Sequence, residues 1–523
     1  MRNKFFPVII FLAAGLLFSC TSPRQGMNPG EFRFNLNTEP PSLDWTIATD
    51  QASIWVLINL MEGLTTYNSK LEVIPAVAHS WDVLDGNRRY VFHLRRDVRW
   101  SDDVPVRAQD FVYSWQRLVD PATAAEYAYF LYPVKNAQKI NSGKIRDTTR
   151  LGVKALDDYT LEVILEKPIV YFPAITTFMV TFPLRRDIIE KYGNTWTEPA
   201  HIVTNGPFRL AEWHHEYKLV LKRNPLYYAE PPGLDRVVFY MVNELMTALS
   251  LYETGALDMV DPLPQAVPFW RDSREYYAVP NLRCDYYGFN IKKPPVNDVR
   301  VRRALAMAID KSRIPQILKQ DHLPASSWLP RGMFAFNPEI GYPFNPEKAR
   351  EILAEAGYPG GRGFPPITIA YNTYQTHKMV AEYVQQQWRQ NLHIGVHIQN
   401  MEWKVFLKEL QHDAPAVFRL GWGADYPDPD NFMRVFLSNS GNNHTNWANP
   451  EFDRLVEEAA VEIDPEKRQA LYNRAQRMLL EQDCVIIPLF HYTRVWLIKP
   501  WVKGLQLNAL DQLYLKSARI TSK

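Results

Sequence analysis

The chain of 523 residues has only three cysteines, and this scarcity excludes a fold built on a framework of disulfides. Cys284 and Cys484 lie 200 residues apart, and neither belongs to a Cys-x-x-Cys pair or to a cluster with zinc-ligand spacing. In an exported protein the two could form a disulfide, or each could remain a buried thiol. The spacing leaves that choice open and gives no sign of a metal site.

An excess of charge of one sign is also missing, because 59 Lys and Arg residues stand against 57 Asp and Glu residues. Nucleic-acid backbones are bound by basic surfaces, so nothing here favours a nucleic-acid partner. Beyond the first 20 residues no apolar run approaches the roughly 18 residues that mark a membrane span. At roughly 100–200 residues per domain, the length predicts about three structural lobes.

The amino-terminal residues have the pattern of an export signal. A basic start (MRNK) precedes an apolar run from Phe5 to Phe18, which is too short for a stable membrane span. The sequence LFSC that ends at Cys20 resembles a bacterial lipobox, in which the cysteine is lipidated after cleavage. We predict a signal peptide over 1–19, a lipid anchor on Cys20 and a tether over 20–31, which places the protein on the periplasmic or cell-surface face of a membrane. The alternative is a plain signal peptide with an incidental cysteine.

The short motifs of common catalytic and cofactor sites are absent. There is no GxSxG elbow, no HExxH helix, no GxxxxGK[ST] loop and no GxGxxG after a strand. The acidic stretch DYPDPDN lacks the glycine and glutamate of a calcium loop, so we expect Asp428 and Asp430 to hold a structural turn. We predict no enzymatic activity, no cofactor and no metal.

Strand and helix patterns alternate along the chain, which indicates an α/β protein. Residues 345–357 (NPEKAREILAEAG) predict a helix capped by Asn345 and ended at Gly357. A second helix is predicted over 465–482, and a third over 297–309 with all three of its arginines facing outward.

Aromatic residues are abundant, with 15 Trp, 27 Tyr and 26 Phe, and many lie in polar surroundings. Large amphipathic rings of this kind line clefts that hold varied ligands. Trp422 is notable because two glycines flank it, with Arg419 before it and Asp425 after it. A cation and an anion six residues apart, beside an aromatic wall, suit a zwitterion such as a peptide.

Several longer motifs then make a family resemblance visible. They are MEGL (61–64), AHSWD (78–82), YVFHLRRDVRWSDDVPVRAQDFVYSWQRLVDP (90–121), IVTNGPF (202–208), KPPVNDVRVRRAL (293–305), LAEAGYP (353–359) and GWGADYPDP (421–429). From Phe32 to the carboxyl terminus the sequence resembles the extracytoplasmic oligopeptide-binding proteins of bacterial ABC importers.

The resemblance implies a three-lobed periplasmic-binding-protein fold of the Venus-flytrap type, with mixed sheets and a hinge between lobes. Lobe I would combine 28–61, 186–282 and 493–523. Lobe II would be 62–185, and lobe III 283–492. A ligand would be enclosed between lobes I and III, which would close about strands near 283–290 and 488–493.

The resemblance also implies a set of ligand-binding residues. Asp425 would bind the ammonium group of a peptide, and Arg419 and His377 would face its carboxylate. Trp403 and Trp422 would form aromatic walls. Backbone groups around Gly421 and Gly423 would pair with the ligand as an added strand.

Some positions depart from the family pattern. Leu318 and Leu410 stand where relatives have a cleft lysine and arginine, and Thr49 stands where they have a glutamate. Gly423 stands at the position of a cysteine, so that Cys284 would lose a disulfide partner. We therefore expect a ligand-length preference different from that of the relatives, and no disulfide joining the lobes.

The implied partners are short peptides and the permease and ATPase subunits of an importer, with a monomeric receptor attached to the membrane through lipid alone. The alternatives within the same fold are receptors for a dipeptide, a murein peptide, haem or a nickel complex. More distant alternatives are a peptidase that uses the same cleft, or a surface adhesin or chaperone.

Overall fold

The computed structural model of the protein describes residues 30–521. The signal peptide predicted over 1–19, the anchor at Cys20 and most of the tether over 20–31 lie outside the described residues, as do residues 522 and 523.

The strands within residues 30–521 are β1 (Glu31–Asn35), β2 (Thr65–Tyr67), β3 (Val73–Pro75), β4 (Ala78–Leu84), β5 (Arg89–Leu94), β6 (Val153–Asp157), β7 (Thr160–Ile164), β8 (Phe208–His214), β9 (Lys218–Arg223), β10 (Arg236–Tyr240), β11 (Met259–Val260), β12 (Tyr276–Phe289), β13 (Leu323–Pro324), β14 (Ile367–Asn372), β15 (Val396–Met401), β16 (Val417–Gly423), β17 (Ile486–Ile498), β18 (Val502–Lys503), β19 (Gln506–Leu507), β20 (Leu513–Tyr514) and β21 (Arg519–Ile520).

The α-helices of the same part of the chain are α1 (Gln51–Leu60), α2 (Ala108–Val119), α3 (Ala137–Asn141), α4 (Phe172–Ile175), α5 (Arg186–Tyr192), α6 (Leu245–Glu253), α7 (Val267–Trp270), α8 (Val299–Met307), α9 (Ile314–Leu318), α10 (Pro346–Glu355), α11 (Gln375–Leu392), α12 (Trp403–Asp413), α13 (Pro429–Met433), α14 (Pro450–Val461) and α15 (Pro465–Arg477).

One large mixed sheet organises most of the molecule. Its order is β15, β14, β16, β12, β17, β11, β1, β10, β9, β8, and β13 adds to β17. The two long central strands, β12 and β17, run antiparallel, and their register is interrupted between Pro280 and Cys284 and again after Asp285. The sheet therefore joins strands from the predicted lobes I and III through β12 and β17, where the sequence places the hinge.

A separate antiparallel sheet lies within the predicted lobe II, in the order β4, β5, β7, β6. Helix α2 packs beside β6 and buries Phe111 and Trp115. The apolar side chains form more than one core: Trp115 belongs to a cluster shared with residues of lobe I, Trp328 lies in a second cluster and Trp388 in a third. Several cores in one chain agree with a length too great for a single one.

Local signals correctly located the helix at 345–357. The Asn345 side chain accepts a hydrogen bond from the Lys348 amide at 3.0 Å, and Gly357 adopts a φ of +99°, which L side chains rarely adopt. The helix predicted over 465–482 is also present, although its last five residues, Met478–Gln482, widen into a π turn.

The prediction that all three arginines of the 297–309 helix face outward was wrong for Arg302. This side chain is buried, and its guanidinium donates hydrogen bonds to the backbone carbonyls of Val296, Asn297, Asp483 and Cys484. A guanidinium carries five N–H groups, so it can satisfy several carbonyls that have no other partner in the interior. The apolar periodicity of the helix could not reveal this use of a charged residue.

The architecture confirms the predicted α/β class with mixed sheets. Within residues 30–521 no helix combines the length and the apolar character needed to cross a bilayer. The boundaries proposed for the three lobes stay a prediction.

Candidate functional site

Strand β16 carries most of the predicted site, and five of its seven residues have an open edge. Its first residues, Val417 and Phe418, pair in parallel with Ile369 and Ala370 of β14, and the pairing stops there, two residues before β14 ends at Asn372. From Arg419 to Gly423 the only strand that pairs with it among residues 30–521 is β12 on the other side. This edge can accept one more extended chain.

Asp425 lies just beyond the end of β16, and within residues 30–521 its carboxylate receives hydrogen bonds only from neutral groups. The Tyr129 hydroxyl and the Asn431 side-chain amide both donate to its Oδ2 atom, each at 3.1 Å. Burial raises the pKa of Asp425, and these two hydrogen bonds act in the opposite direction. Among the described residues Asp425 forms no ion pair. A partly buried carboxylate in this setting could accept a cationic group.

Asn431 orients this end of the site, a role that the sequence did not reveal. Its Oδ1 atom accepts hydrogen bonds from the Trp422 indole at 3.0 Å and from the Asp425 amide at 3.2 Å. The same side chain therefore fixes the predicted aromatic wall and the predicted ammonium-binding carboxylate relative to each other.

The acidic loop that follows supports Asn431, as predicted for a structural turn. Asp428 caps α13 by accepting from the Asp430 amide at 2.9 Å, and it pairs with Arg468 at 2.7 Å. Asp430 accepts from the hydroxyls of Tyr171 at 2.6 Å and Tyr426 at 3.0 Å. Both carboxylates are committed to protein partners, and residues 30–521 contain no cluster of His, Cys, Asp and Glu that could hold a metal.

Arg419 lies at the other end of the open edge, and the chain supplies its partner. Its Nη2 atom forms an ion pair with Asp285, and Nη1 donates to the Asn372 side chain at 3.3 Å. Both charged side chains are buried. Asp285 lies on β12 directly opposite Gly421, and a Cβ at Gly421 would come within 3.1 Å of Asp285 Oδ2 and 3.3 Å of Arg419 Nη2. The glycine leaves the space that the ion pair occupies.

His377 and Trp403 flank the same end. His377 Nδ1 lies 3.2 Å from the Asn372 carbonyl oxygen, and burial, together with Arg419, lowers the pKa of His377 to about 4. Trp403 begins α12 two residues after Met401, which pairs with Asn372, and its side chain is 44% exposed. The structure therefore gathers His377 and Trp403 near Asn372, the residue that contacts Arg419.

The remaining predicted residues of β16 lie on its two opposite faces. Trp422 lies opposite Cys284 and packs beside the cluster that contains Tyr286. Gly421 and Gly423 belong to the other face with Arg419, since side chains alternate along a strand.

The absence of a disulfide at Cys284 is confirmed within residues 30–521, but the reason expected for it was wrong. Both Cys284 and Cys484 are buried free thiols, but the residue in register with Gly423 is Arg283, not Cys284. Gly423, which stands where some relatives have a cysteine, is therefore paired with an arginine and not with Cys284.

Comparison with known proteins identifies the family. A family model described as bacterial extracellular solute-binding proteins, family 5, matches residues 72–444. The chain belongs to this family of solute-binding proteins. A relative in the same class is the periplasmic oligopeptide-binding protein OppA of Salmonella typhimurium, 37% identical over 88% of this chain and 87% of that protein.

Two further relatives differ in their ligands. The probable deoxycholate-binding periplasmic protein YgiS of Escherichia coli is 34% identical over 99% of each chain. The structure of the Escherichia coli murein tripeptide-binding protein MppA superposes with a TM-score of 0.80 at 34% identity, covering 95% of this chain and 99% of that one, and the unliganded open form of MppA superposes with a TM-score of 0.83. These matches confirm the lobed fold of extracytoplasmic peptide-binding proteins, while the ligand of this family 5 protein is a separate question.

Proposed function

We propose that this solute-binding protein captures short peptides in the cleft beside β16 and presents them to the permease of an ABC importer. The observation that carries the proposal is Asp425, a partly buried carboxylate whose hydrogen-bond donors within the described residues are Tyr129 and Asn431. A peptide ammonium would supply the missing cation, and a carboxylate of this kind is costly to leave unpaired once water is excluded.

The strand geometry gives the direction in which a peptide would lie. Its ammonium would meet Asp425, and its far end would point toward Arg419 and His377, so it would run antiparallel to β16 along the open edge. Arg419 and Asp425 are six positions apart, which is at most roughly 20 Å at roughly 3.3 Å per residue. That length suits peptides of about three to six residues. Pairing through the backbone leaves the ligand side chains unspecified.

Aromatic surface would supply affinity that does not depend on ligand sequence. Trp422 is partly buried and fixed by Asn431, and Trp403 stands exposed at the start of α12. The amphipathic rings would pack on aliphatic and aromatic side chains alike.

The same carboxylate weighs against a bile acid as the main cargo. Deoxycholate, named for one relative, carries a carboxylate and no cationic group, and it would meet Asp425 with charge of the same sign. Haem would bring carboxylates to the same place. A dipeptide or murein peptide with a free amino end remains compatible with Asp425.

The proposed receptor also has a cellular location and partner subunits. The protein would be exported and held at the membrane by a lipid on Cys20, would act as a monomer with permease and ATPase subunits, and would not cleave its ligand. The only roles we assign to Asp425 and His377 are in binding.

Native mass spectrometry of the freshly purified protein, followed by release and sequencing of what co-purifies, tests the proposal. We expect a set of mass shifts that resolve into mixed short peptides with free amino ends. A single shift from a bile acid, haem or a metal complex would contradict the cargo, and cleaved products of an added peptide would contradict the receptor role.

A further inference from the structure

The end of the cleft farthest from Asp425 is already neutralised by a carboxylate of this chain. Asp285 forms a buried ion pair with Arg419, and Asn372 accepts a second hydrogen bond from the same guanidinium. The register that places Asp285 opposite Gly421 puts this carboxylate on the face of β16 that carries Arg419. An anion at Arg419 would therefore compete with a carboxylate that the chain already supplies.

The other arginines near the crossing strands are matched as well. Arg283 Nε lies 3.9 Å from Asp285 Oδ2, and its guanidinium stacks 4.6 Å from the centre of the Tyr492 ring. Arg494 pairs with Asp261 at 2.9 Å and with Asp511 at 4.0 Å. The three arginines are thus balanced by three aspartates, and this group adds no net positive charge to attract a carboxylate.

His377 does not change this balance. Since the Asn372 carbonyl can only accept, Nδ1 of His377 donates the hydrogen bond between them. With a pKa of about 4 the ring is neutral at pH 7, so its Nε2 atom is an acceptor and has no proton to offer a ligand carboxylate.

One oxygen of Asp285 can still accept a hydrogen bond, and other buried polar atoms of β12 also lack a hydrogen-bond partner among the described residues. Arg283 Nε, Asp285 Oδ2 and Tyr287 OH are buried polar atoms without a hydrogen-bond partner among the described residues, and they lie at alternate positions of the strand. Asp285 Oδ2 accepts no hydrogen bond within residues 30–521, although it lies 3.9 Å from Arg283 Nε, so it would repel a second carboxylate at Arg419 and would accept from a neutral amide.

We propose that Asp285 is a specificity-determining residue: it holds Arg419 in an internal ion pair, so that the receptor recognises a peptide by its free amino end and backbone and does not distinguish a free carboxyl end from a blocked one. This inference rests on the proposed function. The ligand class is peptides with a free ammonium and either a free, an amidated or an extended carboxyl end.

Calorimetric titration of wild-type protein with three forms of tetra-alanine tests the proposal directly. We expect the free acid and the carboxyl-terminal amide to bind within about threefold of each other, and the N-acetylated form to bind at least about 50-fold more weakly. An acid preferred over the amide by more than about tenfold would overturn the inference while leaving the ammonium role intact. Equal binding of the N-acetylated form would instead overturn the proposed function.

An Asp285→Asn variant provides the second arm. Releasing Arg419 should create a preference for the free acid of at least about tenfold, while the N-acetylated form stays weak. In the double variant Asp285→Asn with Arg419→Gln, the ratio of the affinities for the free acid and the amide should return to near one. Asp413→Asn, which removes an exposed carboxylate of α12, serves as the matched control and should leave the ratio unchanged. A folded Asp285→Asn protein without acid preference would contradict the proposal, and the wild-type ratio tests it even if this variant does not fold.

Discussion

At the scale of single residues, Asp425 and Arg419 are opposite cases of a charged group in a cleft. Asp425 accepts hydrogen bonds from Tyr129 and Asn431 and has no cationic partner in the part of the chain that the structure describes, whereas Arg419 is paired with Asp285. Burial raises the pKa of Asp425 because the charged form loses hydration. A bound ammonium would reverse that shift, so ligand binding and the ionisation of Asp425 are coupled.

Peptide affinity should therefore fall as the solution becomes acidic. The free protein must ionise Asp425 to bind an ammonium, so affinity is full above the raised pKa of free Asp425 and is lost, by about tenfold per pH unit, below it. The peptide ammonium stays charged throughout this range. Titrations between pH 7.5 and pH 4.5 check this prediction, and the slope should vanish in Asp425→Asn. A wild-type affinity that does not change with pH would argue against ionisation of Asp425 as a requirement.

At the scale of elements, β16 and α8 show how neighbouring segments determine the space for a side chain and its burial. A side chain at Gly421 would be crowded because β12 places Asp285 against it, whereas Gly423 has open space with its nearest neighbours at 4.0 Å. In α8, Arg302 is buried because the segment 483–484 presents carbonyl oxygens to it, while Arg300 remains near the surface on Asp298.

Substitution of the two glycines by alanine should have opposite effects. Gly421→Ala should lower stability by about 1 kcal/mol, because the new methyl group crowds the Asp285–Arg419 ion pair. Gly423→Ala should be neutral or slightly stabilising, since it restricts the unfolded chain without a clash. Thermal unfolding of both variants measures the difference, and equal melting temperatures would show that the space at Gly421 is not required.

Arg302→Met should cost about 2–4 kcal/mol, because it leaves several buried carbonyl groups without a donor. The apparent melting temperature should drop by several degrees. Arg300→Met, which changes an exposed arginine two residues earlier in the same helix, is the matched control and should change it little. Similar melting temperatures for the two variants would count against the buried hydrogen bonds of Arg302.

At the scale of the whole molecule, local patterns predicted the elements and long-range contacts defined the site. The cap at Asn345 and the turn at Asp428 depend on neighbours a few residues away, so the sequence could reveal them. Tyr129 reaches Asp425 across 296 positions, and Asp285 reaches Arg419 across 134. No local periodicity encodes such pairs, which is why the resemblance suggested Asp425 and Arg419 but neither of their partners.

The contact between Tyr129 and Asp425 also joins the predicted lobes II and III. If lobes I and III close on a peptide about β12 and β17, the molecule should become more compact when peptide binds. Small-angle scattering should show a smaller radius of gyration with saturating tetra-alanine than without it. An unchanged radius with a peptide that binds tightly by calorimetry would contradict closure.

The central claim is that Asp425 binds the free ammonium of a peptide. The most direct measurement compares the affinities of wild type and Asp425→Asn for the same tetrapeptide with a free and with an acetylated amino end. We predict that wild type loses at least about 50-fold on acetylation, whereas the variant binds both forms weakly and about equally. If wild type bound both forms alike, or if the variant kept the full preference for the free ammonium, the assignment of Asp425 would be wrong.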